Sequence, residues 1–164
     1  MSDLETAVVR EARDRIVTGF PAQVRACLDA LGDDEIWSRP NASSNSVGNL
    51  VLHLCGSTRH FLGRGAGGSD FVRDRPGEFS EKGPIPKADL LRRLDETVAE
   101  ADRVLSGLAG RLLQTTDRVG GPFSLLALVL RTTHHWAVHT GQIVYATKAM
   151  KPAAFEELWQ RTMK

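Results

Sequence analysis

Apolar residues recur three or four apart through most of the chain, the spacing of a helix with one buried face. Val8, Ala12, Ile16, Phe20, Val24, Cys27, Leu28 and Leu31 predict a first helix over about residues 4–31. Gly19-Phe20-Pro21 falls inside it and predicts a kink or short break. A second helix is expected over about residues 46–62, after the polar, cap-forming cluster Asn41 to Ser46. Val47, Leu50, Val51, Leu52, Leu54 and Cys55 make it apolar nearly all round, as in a helix buried on most sides. Residues 63–86, rich in Gly, Pro, Asp and Arg, read as one long loop. It holds the string Arg73-Asp74-Arg75-Pro76-Gly77-Glu78-Phe79, whose charges read as a solvated turn, with the rim of a pocket as the alternative.

The third helix, over about residues 87–109, has the cleanest stripe: Leu90, Leu91, Leu94, Val98, Ala101, Val104, Leu105 and Leu108. The fourth runs from Pro122, placed at its first helical position, to about Met150. A short tail helix follows from about Pro152, with Phe155, Leu158, Trp159 and Met163 on its apolar side. The expected fold is therefore all-α: residues 1–164 as one four-helix-bundle domain, with a long crossover loop between the second and third helices and a short C-terminal helix.

Composition narrows the function. The 164 residues carry 21 Lys and Arg against 20 Asp and Glu, a net charge of +1 that argues against nucleic-acid binding by bulk charge. The longest clean apolar run, Leu125 to Leu130, is too short to span a bilayer. The N-terminal residues lack the pattern of a secretory signal, and two cysteines, Cys27 and Cys55, make no disulfide framework. A cytoplasmic protein is expected. Both cysteines read as packed thiols.

The candidate chemistry lies in five histidines: His53, His60, His134, His135 and His139. His135 and His139 are one turn apart and about 40° apart around the axis. That spacing lets two imidazoles reach one metal ion. His139 is expected within the apolar stripe Leu125, Leu128, Val129, Thr132, Trp136, Ile143 and Ala146, and His135 on its edge, while His134 points away. His53 is the best third ligand, although it falls on the flank of its own helix's stripe. His60 lies about two turns farther on, roughly 10 Å away, too far to share an ion with it. Two readings stand on these residues alone: a ligand set, or hydrogen-bonded core histidines. Carboxylates are scarce around the three in the sequence, so no general base is expected there. Gln142 is placed to orient a ligand or the second nitrogen of His139. Glu-x-x-His, His-Glu-x-x-His, Gly-x-Ser-x-Gly and P-loop patterns are absent. Bis-histidine haem ligation stays open but leaves one histidine of the pair without a role.

Trp37-x-Arg39-Pro40-Asn41 followed by Asn45-Ser46-Val47-Gly48-Asn49-Leu50-Val51-Leu52-His53-Leu54-Cys55-Gly56 resembles the second-helix signature of the DinB/YfiT-like superfamily. His135-x-x-x-His139-Thr140-Gly141-Gln142-Ile143 resembles its fourth-helix signature. Arg73-Asp74-Arg75 and Glu78-Phe79 match the intervening loop of one bacterial branch. The resemblance implies a four-helix bundle, a metal site on His53, His135 and His139, and a divalent ion such as zinc or nickel. It also implies a homodimer, and chemistry of the kind done by thiol-dependent isomerases and S-transferases that use mycothiol or bacillithiol. Three imidazoles leave a coordination position open, the pattern of a catalytic metal site. The open position can take water or a substrate thiol. The expected function is thus a metal-dependent enzyme acting on a small molecule, of thiol-dependent transferase or isomerase type or of hydrolase type, with a low-molecular-weight thiol as partner in the first case. The alternative is a metal-binding or sensing bundle whose site is structural or vestigial.

Overall fold

The computed structural model describes residues 3–153 and 156. The tail-helix residues Phe155, Leu158, Trp159 and Met163 lie outside them. The described residues are all-α apart from two two-residue strands. The first rod comprises α1 (Asp3–Arg13), a π-helical stretch (Asp14–Gly19) and α2 (Phe20–Ala30). The break expected at Gly19-Phe20-Pro21 is this π-helical stretch. Pro21 has no N–H to donate, and the preceding turns widen so that the Phe20 N–H reaches the Arg15 carbonyl five residues back. The rod continues through the proline instead of stopping at it. A short helix, α3 (Asp33–Trp37), follows.

Helix α4 (Val47–Thr58) starts where its cap residues predict. The Ser46 side chain accepts the Asn49 N–H, and the Asn49 side chain reaches back to the Ser46 N–H, so two otherwise orphaned donors are satisfied. Every residue of α4 is buried, as its all-round apolarity requires. A second π-helical stretch, Arg59–Ala66, extends it beyond the expected end at Leu62. The following segment is not one open loop. It contains α5 (Arg75–Ser80), whose first turn is capped by the Asp74 carboxylate on the Gly77 N–H. Pro76 stands in that first turn, where its missing N–H costs nothing.

Helix α6 (Lys87–Ser106) buries Leu90, Leu94, Val98, Ala101 and Leu105 along one stripe. Strands β1 (Thr115–Thr116) and β2 (Phe123–Ser124) pair antiparallel through a turn in which Gly120 has φ 88°. Helix α7 (Leu125–Met150) therefore begins later than expected. Its cap is Ser124, which accepts the Ala127 N–H, and Pro122 sits in the turn before β2. In the bundle α2 packs on α7, α4 packs on α6 and α7, and α1 packs on α6. Among the described residues no helix is long and apolar enough to cross a membrane.

Candidate metal centre

Helix α4 places His53 against α7, and α7 places His135 and His139 one turn apart facing it. One ring nitrogen from each lies within 4.8 Å of the others. The ring centroids are 4.8 Å apart for His53 and His135, 4.8 Å for His53 and His139, and 4.3 Å for the α7 pair. His53 is buried, although it falls on the flank of its stripe, because α4 is covered on all sides. His135 and His139 are half-buried. His139 lies at the border of the core rather than within its stripe, because the buried row of α7 centres on Trp136, Thr140, Ile143 and Thr147.

Each of the three rings keeps a nitrogen for the shared space. His53 Nδ1 is 2.8 Å from Oε2 of Glu78. Arg73 Nη2 is 2.7 Å from the same oxygen and 3.0 Å from the ring nitrogen. A carboxylate oxygen accepts from both, so Nδ1 carries the proton and the Arg73–Nδ1 approach follows from two donors sharing one acceptor. That tautomer leaves the Nε2 lone pair of His53 free. His139 repeats the arrangement with Nδ1 at 2.7 Å from Oε1 of Gln142. Nε2 of His135 is buried and has no hydrogen-bond partner. An unpaired buried imidazole nitrogen is costly unless something binds it. Three imidazoles, each with a nitrogen toward one space, are in their neutral form a donor set for a borderline divalent ion, and these residues fit one.

The carboxylate beside His53 overturns the expectation that acids are scarce here. Glu78 and Arg73 belong to the string that reads as a solvated turn, yet both are tucked in, with side chains only 8% and 12% exposed. Arg73 Nε donates to Glu78 Oε1 at 2.7 Å. The approach is possible because residue 56 is glycine, where a Cβ would collide with Oε1 of Glu78. Asn49 fastens α5 to α4 through its Nδ2 donors to the carbonyls of Glu78 and Glu81, at 3.0 and 2.9 Å. Arg39 adds bonds to Asn49 Oδ1 and the carbonyls of Phe79 and Glu81. The sequence signal that could have found this strap is Asp74 as a cap with Pro76 in the first turn, the pattern of a short helix start.

A family model described as the DinB superfamily matches residues 18–143. The chain belongs to the DinB superfamily. No curated protein matches it. The matched region of this DinB chain contains all three converging histidines and the Glu78–Arg73 pair.

Burial sets the titration of the site. It pushes His135 down to about 3, with further lowering from His139, His53, Arg73 and Arg131. His139 is also lowered by burial, against a smaller upward pull from Gln142. Burial alone would raise the Glu78 carboxyl, but hydrogen bonds from Arg73 and His53 outweigh it and hold the group below its ordinary value. The remaining candidates lie apart. His60 is half-buried with its ring 4.8 Å from Phe61, and His134 is exposed. Cys55 is buried, its thiol raised to about 11 by desolvation, and Cys27 is raised by the same cause. Neither belongs to the histidine cluster.

Proposed function

We propose that this DinB-superfamily chain is a metal-dependent enzyme of small-molecule chemistry, holding one zinc or nickel ion through His53, His135 and His139. The observation that carries the reading is the buried, partnerless Nε2 of His135 between two imidazoles whose other nitrogens are already bound. Such an ion supplies a Lewis acid that can keep a thiol cosubstrate ionised at neutral pH. The chain's own residues prepare the site. Glu78 accepts the Nδ1–H hydrogen bond of His53 and fixes its ring, and Gln142 orients His139. Burial keeps His135 neutral, so its lone pair is available at working pH. Three protein ligands leave a position for substrate.

The thiol-dependent transferase or isomerase reading rests on the family resemblance and the donor set. Its test is to load the protein with zinc or nickel, offer an electrophile with mycothiol, bacillithiol or glutathione, and compare the wild type with His135→Ala. A rate that needs metal and vanishes in the variant supports the reading. Equal rates in both proteins overturn it and leave the non-catalytic metal-binding bundle.

A homodimer in the cytoplasm completes the proposal. Leu130, Val138 and Tyr145 are exposed along one side of α7, an apolar row that a second copy can cover. Buried free thiols at Cys27 and Cys55 suit a reducing compartment. A sedimentation mass near 17.9 kDa at micromolar concentration would refute the dimer.

A further inference from the structure

Arg131 stands one turn before His135 on the same face of α7. Its guanidinium lies over the Phe61 ring, 4.3 Å from the centroid. Phe61 and its neighbour His60 are on the π-helical extension of α4, so this cluster sits on the α4–α7 seam beyond the three histidines. His60 follows His53 by about 10 Å along the axis, and Arg131 precedes His135 by about 6 Å.

The neighbouring cations are committed. Arg73 is paired with Glu78, and Arg64 donates to the carbonyls of Arg118 and Phe71. Among the described residues, Arg131 has no carboxylate partner and no hydrogen bond, and neither has His60. Arg131 is exposed, and its cation–π contact with Phe61 uses none of the guanidinium N–H donors. A planar fork with one unneutralised charge matches a carboxylate, which it can hold bidentately. A phosphate carries more charge than this single cation balances.

We propose that Arg131, seated on Phe61 beside His60, is an anion-binding subsite of the histidine centre that takes the carboxylate of a thiol cosubstrate. The inference rests on the thiol reading above for what occupies the metal. It adds the substrate class: a small thiol with a carboxylate several bonds from its sulfur, laid along the α4–α7 seam.

The test uses cobalt(II)-loaded protein, in which sulfur binding gives a thiolate charge-transfer absorption. The probes are 6-mercaptohexanoate and 6-mercaptohexan-1-ol, which differ only at the far end. The wild type should bind the acid about tenfold more tightly than the alcohol. Arg131→Gln should bring the two within about twofold without changing metal content or affinity for the alcohol, and Arg131→Lys should fall between. Equal affinities in the wild type, or an undiminished preference in Arg131→Gln, overturn the subsite. A second arm titrates hexanoate into the metal-free protein and follows the Arg131 Nε–H resonance. If neither thiol gives an absorption, the thiol reading fails. A saturable hexanoate shift then sustains the subsite alone, and no shift removes it as well.

Discussion

His53 and His139 are held by the same device, a hydrogen bond at Nδ1, built in two different ways. At His53 the acceptor is a buried carboxylate that arrives from 25 residues away and is itself clamped by Arg73. At His139 it is the neutral amide of Gln142, three residues along the same helix and exposed to solvent. The first support exists only if α5 is folded onto α4. It therefore needs Gly56 for the close approach and Asn49 and Arg39 to fasten the strap. The second is present as soon as α7 forms. One side of the centre is tertiary structure, and the other is local helix geometry.

The difference is largest in what each support costs to remove. Glu78→Ala leaves the Arg73 guanidinium buried without its partner and frees the His53 ring. Breaking a buried pair on one side costs about 3–5 kcal/mol. Urea unfolding of the metal-free protein should show a loss of that order. Metal affinity, measured by competition with a chelator, should fall by at least about tenfold. Glu78→Gln keeps an acceptor for Nδ1–H but drops the charge facing Arg73, so it should lose less of both. A Glu78→Ala protein as stable as wild type would show that the strap is ornamental.

His135 lies between the two supports and has none of its own. His135→Ala removes a ring whose buried nitrogen is unsatisfied, so the metal-free protein should change by only about 1 kcal/mol. The metal response should change far more. At an ion concentration one hundred times the dissociation constant, the wild type gains about 2.7 kcal/mol. With two ligands left, the variant should gain almost none. Thermal scans with and without zinc separate the two quantities.

The same contrast decides what could be read in the sequence. Helix periodicity located the long rods, because an apolar stripe, or in α4 a nearly continuous apolar surface, survives in the order of residues. The i, i+4 pair His135 and His139 and the local partner Gln142 were legible for the same reason. The Glu78–Arg73 support was not. Its residues look like a solvated charge run until α5 folds inward, and that depends on Gly56 in another helix. Asp74 and Pro76 carry the pattern of a helix start, but within so long a Gly- and Pro-rich segment they read as loop. The late start of α7 was hidden because Pro122 imitates a first-turn proline, whereas the pairing of β1 with β2 puts the cap at Ser124. The first π-helical stretch showed in the sequence only as a break at Gly19-Phe20-Pro21, and the second, Arg59–Ala66, carries the rod past the expected end at Leu62.

Acidification should release the two sides in sequence. His135 and His139 have folded values below the ordinary 6.5 of histidine. Above that pH neither state binds the proton, and their contribution to stability is complete. Below it the unfolded chain takes protons that the folded protein resists, so stability declines from about 6.5 toward the value near 3 at which His135 charges. Glu78 is depressed below its ordinary 4.5. Its contribution stays whole above 4.5 and is lost as pH falls through its folded value. Stability of the metal-free protein followed against pH should thus decline in a first phase beginning near 6.5 and steepen below 4.5. In Glu78→Gln the second phase should shrink while the first remains.

The smallest expected effect is at the exposed support. Gln142→Ala deletes an amide that bonds only its own helix neighbour, and water can reach the freed Nδ1 of His139. Surface changes of this kind usually stay within about 0.5 kcal/mol, so unfolding should be nearly unchanged. What the amide contributes is orientation. Without it the ring can turn and either nitrogen can carry the proton, so part of the population presents the wrong atom to the ion. Metal affinity should therefore fall several-fold at most, by less than in Glu78→Gln. Gln142→Glu supplies a charged acceptor at the same place and should recover the affinity or exceed it. If Gln142→Ala instead costs as much metal affinity as Glu78→Ala, solvent does not replace the amide, and the distinction between a tertiary and a local support has no consequence for the ion.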